Sequence, residues 1–217
     1  AWAQDDNQTD VILFGFGSQP DFDDASIVIA AFDQGGLGLP GRDFYLSTDE
    51  KSVGIRAAYQ KHIQKMLELA GEPADKAAAD AKTALAIETA LATAQVDNVT
   101  RRDPKSMNNK MSLEQVRALA PSFDWNQYLK LVGAPTPHHY IVSSPKYFKG
   151  LEQELKQRSV EDWKAYLRWF AVHDSAPYLT TAFVDENWDF FSRTLLGAKQ
   201  QRPRWRRCVA AADRDLG

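Results

Sequence analysis

Four histidines come first, because imidazole is the side chain most used to ligate zinc or to move a proton near neutral pH. They stand at His62, His138, His139 and His173. None belongs to an HExxH pattern, which would set two imidazoles one helical turn apart on a single face with a glutamate between them. His138 and His139 are adjacent in the chain, so their side chains diverge, and His62 and His173 read as ordinary helix residues. The expectation is that the chain carries no catalytic residue and holds no metal of its own. Nucleophilic hydrolysis has no better footing: Gly15-Phe16-Gly17-Ser18 lacks the second glycine that a serine elbow requires. Asp21, Asp23 and Asp24 fall where a turn is expected, without the spaced oxygens and distal glutamate of a calcium loop. Gly35, Gly36, Gly38 and Pro40 form a glycine-rich connector that lacks the Lys-Ser/Thr ending of a phosphate loop and reads as a structural turn.

One carboxylate is out of place. Ala74 to Val96 contains no Gly or Pro, and Ala81, Leu85, Glu88, Leu91, Ala92 and Gln95 fall along one stripe of the helix this predicts. An acidic side chain on a buried face needs a partner. The expected partner is Arg101 or Arg102, in a structural ion pair and not a catalytic role. Cys208 is the single cysteine, so no disulfide closes within the chain and no multi-cysteine metal cluster exists. Its thiol is either a small buried hydrophobe or half of a bridge to something outside the chain.

The elements that would hold these residues are mostly helices. Val11 to Phe16 and Ile27 to Phe32 are short apolar, β-branched runs separated by a polar turn, which predicts a β-hairpin. Ser47 followed by Glu50 suggests a capping box opening a helix to about Ala70, with Ile55, Tyr59, Ile63, Met66, Leu67 and Ala70 on its buried face and Gly71 as the stop. Short helices are expected after Ser112 and Asp124, a brief strand at Tyr140 to Ser143, and a helix from Ser144-Pro145 to about Gln157. Ser159 with Asp162 caps the next, whose face reads Trp163, Tyr166, Leu167 and Phe170 down to His173. Further helical runs reach Leu196 and begin again at Pro203. The expected fold class is mainly α, a multi-helical lobe with a small β-hairpin near the start.

At 217 residues, 44% hydrophobic and 25% charged, the chain has enough apolar material for a sizeable core. A net charge of −3 gives no footprint for nucleic acid, and the basic run Arg202 to Arg207 reads as a helix start packing on another domain. No apolar stretch approaches the ~20 residues of a membrane span. Ala1 to Asp10 has neither a basic start nor an apolar core, and an opening without Met suggests a parent sequence extending upstream.

Several segments together resemble the amino-terminal region of the neprilysin, endothelin-converting enzyme and oligopeptidase O family of zinc metallopeptidases. They are DQGGLGLPGRDFYL at Asp33 to Leu46, IETALA at Ile87 to Ala92 and RRDPKSMNNKMS at Arg101 to Ser112, followed by FDWNQYL at Phe123 to Leu129, EDWKAYLRW at Glu161 to Trp169 and RPRWRRCV at Arg202 to Val209. The resemblance implies that residues 1–217 are a partial, substrate-enclosing amino-terminal domain whose partners are a catalytic lobe of the same protein and small peptide substrates. It implies zinc in the parent enzyme, held outside this chain, and no activity from the chain alone. The alternative is a non-catalytic peptide- or protein-binding module. In secreted members the cysteine of the RWRRC motif bridges to one upstream, so Cys208 would be an orphan half and the parent extracytoplasmic, periplasmic or secreted.

Overall fold

The computed structural model describes residues 11–134 and 137–216, with side chains through Asp213. The reading of Ala1 to Asp10 therefore lies outside the described residues. Among those described, eleven α-helices surround one small sheet, so the mainly helical class holds.

Strands β1 (Phe14–Pro20) and β2 (Val28–Gln34) form the expected hairpin, but it runs further along the chain than the apolar runs do. Its register pairs Phe14 with Gln34 at one end and Pro20 with Val28 at the other. Only the Phe14, Phe32 and Gln34 end of the ladder is buried. The outer half stands in solvent, where Gly17, Ser18 and Gln19 pair without needing apolar side chains. The turn between them closes through the Asp21 amide on the Ile27 carbonyl at 2.9 Å. Two further strands, β3 (Lys110–Met111) and β4 (Tyr140–Val142), complete the order β1-β2-β4-β3, with β2 and β4 parallel. Lys110 reaches back to the hairpin tip, 2.8 Å from Asp21 and 2.6 Å from Asp23, so the acidic cluster is held by a lysine. That ammonium group lowers the pKa of both carboxyls.

After α1 (Asp43–Leu46) come the two long helices α2 (Glu50–Leu69) and α3 (Ala74–Ala94). The cap of α2 is Asp49 and not Ser47, for its carboxylate accepts the Ser52 amide at 2.9 Å. The Ser47 carbonyl is instead occupied by Arg56, which also binds the Phe44 carbonyl and ties α1 down. Gly71 ends α2 at φ +97°, as expected, whereas Ala70 is exposed. Short helices α4 (Asn98–Arg101), α5 (Pro104–Met107), α6 (Leu113–Leu119) and α7 (Trp125–Leu131) lead to α8 (Pro145–Gln157) and α9 (Val160–Ser175). The reciprocal capping box expected at Ser159/Asp162 appears, and Ser112, expected only to open a helix, forms a second one with Gln115.

Helix α3 is the axis of the lobe, packed against α2, α8 and α9. Its alanines explain this: Ala77, Ala81, Ala84 and Ala92 are fully buried, and short side chains let three neighbours approach one helix. On α9 the buried set is Ala165, Tyr166, Trp169, Phe170 and His173, while Leu167 faces water. Beyond a 3-10 turn at Ala176–Tyr178, α10 (Thr181–Trp188) runs directly into a π-helical stretch, Asp189–Leu195, and α11 (Arg204–Leu216) follows.

Candidate functional site

The most heavily hydrogen-bonded buried group is Glu88, with no exposed surface. Four donors converge on it. The Gly38 amide reaches Oε2 at 3.3 Å, the Tyr45 hydroxyl reaches Oε2 at 2.5 Å, Tyr59 lies 3.0 and 3.1 Å from the two oxygens, and the Trp169 indole N–H reaches Oε1 at 2.9 Å. No arginine takes part. The expected Glu88 ion pair is therefore corrected: Arg101 instead binds Asp33 at 2.8 Å, and Arg102 is exposed. The physical reason is that neutral phenol and indole donors satisfy a carboxylate's lone pairs without bringing a second charge out of water. Burial is the leading influence on the Glu88 carboxyl and lifts it to about 7, against the pull of the four donors.

The glycine-rich connector is built around this knot. Gly36 at φ +77° passes beneath Tyr166, whose hydroxyl donates to its carbonyl at 3.1 Å. The Gly35 carbonyl accepts Tyr147 at 3.1 Å and the Gln95 side chain at 2.9 Å. Gln34 lies beside the end of α3, donating to the Val96 carbonyl at 3.1 Å and accepting its amide at 2.9 Å. The Leu39 amide donates to Tyr45 at 2.8 Å, so the Tyr45 hydroxyl links the connector to Glu88. The segment from residue 33 to 46 is thus a structural strap whose backbone polar groups are met by side chains from α1, α3, α8 and α9. The sequence marks Glu88 as unusual but not its partners, which are drawn from residues 38, 45, 59 and 169.

Beside the knot lie two buried histidines. His62 Nδ1 is 3.0 Å from Glu186 Oε1, and its ring stacks on Phe190 at 4.8 Å. His173 sits 5.0 Å from both Trp169 and Phe191, and neither ring nitrogen has a hydrogen-bond partner among the described residues. Burial, reinforced by His62, pushes His173 down to about 4, and burial lowers His62 against the opposing pull of Glu186. Both rings are neutral at pH 7. Replacing His173 by Leu is expected to stabilise the fold by about 1 kcal/mol, because it removes two unsatisfied buried nitrogens from an apolar cage. Urea unfolding at pH 7 checks this, and a loss of stability would mean that the ring has an unseen partner.

These histidines do not suit a zinc ion. His62 is engaged by one carboxylate, His173 is walled in by aromatic rings, and His138 and His139 are exposed. Among the described residues no three His, Cys, Asp or Glu side chains converge as a metal requires. Cys208 is an exposed free thiol on α11, which removes the buried-hydrophobe reading. No helix among the described residues is long and apolar enough to cross a membrane.

Comparison with known proteins agrees with this architecture. A sequence model for the amino-terminal region of peptidase family M13 matches residues 2–217. Endothelin-converting enzyme 1 of Rattus norvegicus is 26% identical over 190 residues, covering 85% of this chain and 25% of the rat protein. The Mycobacterium tuberculosis zinc metalloprotease ZMP1 in its open state superposes with a TM-score of 0.89 at 32% identity, over 98% of this chain and 33% of that one. PepO from Lactobacillus rhamnosis HN001 shares the fold, with a TM-score of 0.79 at 19% identity over 94% of this chain and 32% of that one. The chain spans a quarter to a third of the length of these proteins. With matched residues running almost from end to end and a helical lobe of the same shape, the chain belongs to peptidase family M13, in its amino-terminal region.

Proposed function

We propose that this chain is the access-limiting lobe of a zinc metalloendopeptidase, a single partial domain that encloses small peptides while another part of the same protein cuts them. The observation that carries the reading is the superposition on one third of a zinc metalloprotease chain, by a lobe whose own sequence has no HExxH. A rigid helical wall gives selectivity by excluding folded substrates, and hinge motion against the catalytic part admits the peptide. In this reading the metal that activates water in such enzymes is held by polypeptide outside the described residues. An extracytoplasmic setting for the parent is part of the same proposal, suggested by the motif around Cys208.

The test compares the chain alone with the parent protein on fluorogenic peptides of graded length and on a folded protein. The chain alone is expected to show no chelator-sensitive cleavage. The parent is expected to cut short peptides and to slow by at least tenfold on the folded protein. Equal rates on both would remove the enclosing role, and zinc-dependent cleavage by the chain alone would remove its passive one.

A further inference from the structure

From Pro177 to Leu196 the single buried residue is Phe190, with Phe183, Phe191 and Leu195 half-buried against the core. Helix α10 itself buries nothing. A helix is held in place chiefly by the face it buries, so this segment hangs on few contacts, and those contacts centre on the two histidines. Phe190 stacks on His62 at 4.8 Å and leans on Tyr59 at 5.4 Å. Phe191, the next residue of the π-helical stretch, lies 5.4 Å from His62 and 5.0 Å from His173. Trp169 closes the other side, 5.6 Å from His62 and 5.0 Å from His173. The polar tie from α10 to α2 is the 3.0 Å contact of Glu186 with His62 Nδ1.

Neither ring can take up a proton comfortably where it stands. His62 Nε2 and both nitrogens of His173 are closed to water and bonded to nothing among the described residues, so an added proton would have no acceptor. The charged groups around the cage do not offset this. Glu186 of α10 and Asp189 at the start of the π-helical stretch both favour a protonated His62, yet burial outweighs them, and Asp189 is itself paired with Arg193. His173 is faced by His62, whose charge would repel a second one. Asp174 of α9 and Asp185 of α10 are exposed, and the 3-10 turn at Ala176–Tyr178 carries no charged residue. From α3, Glu88 lies across the Trp169 indole, which donates to it. Water reaches the two rings only if Phe190 and Phe191 lift away.

The knot responds to acid in the reverse sense. Tyr59 precedes His62 by one turn of α2, and Trp169 precedes His173 by one turn of α9, so the two clusters share both helices. Glu88, lifted to about 7, sheds its buried charge as pH falls, which favours the packed core. We propose that His62 and His173 form an acid-released latch: on acidification they take up protons by letting the segment from Pro177 to Leu196 come off α2 and α9, while the helices around Glu88 stay packed. The opening is thus local, a sub-global unit of low stability set on a more stable frame. It concerns this lobe alone and is independent of whether the lobe limits access to a chamber.

Peptide-resolved hydrogen-deuterium exchange between pH 7 and pH 5 tests this, with each protection factor taken relative to the unfolded chain at the same pH. A histidine that binds its proton only after opening multiplies the opening constant by about tenfold per pH unit below its ordinary range. Protection over residues 181–195 is therefore expected to fall by at least about tenfold, while that of α3 holds or rises. In His62→Gln/His173→Leu the fall should vanish. Should that double variant fail to fold, His173→Leu alone should show a fall at least threefold smaller than the wild type. Unchanged protection of residues 181–195 in the wild type would overturn the proposal. An equal loss in α3 would also overturn it, since the whole lobe would then be unfolding. So would a fall that survives undiminished without His173, which would assign the response to Glu186 and Asp189.

Discussion

Replacing Glu88 by alanine is expected to destabilise the protein by about 3–5 kcal/mol, lowering the thermal midpoint by roughly 6–20 °C. The loss comes less from the carboxylate than from what it leaves behind. Tyr45, Tyr59, the Trp169 indole and the Gly38 amide would all point into a fully buried void. Glu88→Gln keeps the shape and one of the two acceptor oxygens, and tyrosine hydroxyls can rotate to accept from its NH2, so it is expected to cost less than alanine. The two variants separate further with pH. Glu88 titrates at about 7 in the fold against an ordinary value of 4.5. The folded state thus holds its proton more tightly than the unfolded state. Relative to pH 4.5 and below, stability falls as pH rises toward 7, by about 3 kcal/mol in total at 1.36 kcal/mol per unit. His173, lowered to about 4, and His62, also lowered, act oppositely, losing stability as pH falls below 6.5. The clean measurement is the difference in unfolding free energy between wild type and Glu88→Gln from pH 4.5 to 8. That difference should change by about 3 kcal/mol, shifting in favour of the glutamine variant as pH rises; a flat difference would mean the carboxylate titrates normally.

The second large effect is expected from the smallest substitution, Gly38→Ala. A methyl group there would overlap the Tyr59 hydroxyl and press on its ring carbon at 3.1 Å. Tyr59 is fully buried and cannot retreat, so accommodation requires pulling its hydroxyl from Glu88 or lifting the strap. Overpacking of about 1–3 kcal/mol, together with a disturbed charge-assisted bond of about 1.5–3 kcal/mol, gives an expected loss of about 3–5 kcal/mol. Tyr59→Phe removes the atom first struck, so the double variant Gly38→Ala/Tyr59→Phe should lose less than the two single changes added together. Strict additivity in a denaturant series would show that strap and knot are independent.

How legible these features were depended on how far apart their parts lie in sequence. Ser159 with Asp162 is complete within four residues and the cap appears as the sequence predicts, as does the helix start at Ser112, where Gln115 adds a reciprocal bond that the prediction does not name. Ser47 misled because three candidate caps stand in a row and the carboxylate of Asp49 has the better reach to the Ser52 amide. The hairpin forms but is displaced from the apolar runs: Val11 to Leu13 precede β1 and Ile27 precedes β2, while Gly17 to Pro20 and Asp33 to Gln34, which carry no apolar signal, extend the two strands. Leu167 and Trp169 show the limit of a helical stripe: they flank it on opposite edges, and α2 and α3 turn the Trp169 edge inward, through Tyr59, His62 and Glu88, while Leu167 faces water. The π-helix itself has no local sign. Glu88 was correctly flagged as a buried acid, but its satisfaction by tyrosines and a tryptophan required knowing that Gly38, Tyr45, Tyr59 and Trp169 meet. Single-sequence reading favours charge pairs because it can see charge. It cannot see convergence.

The parallel pairing of β2 with β4 sets a timetable for biosynthesis. Ala31 and Phe32 must wait for Ile141 and Val142, about 110 residues later, which at ribosomal rates of 5–20 residues per second is roughly 5–20 s. During that interval the β2 edge of the amino-terminal hairpin has no neighbour to close it, the condition under which nascent chains recruit holdase chaperones or pair with each other. Slowing translation before codon 141 should therefore lower soluble yield, whereas slowing it after codon 142 should not.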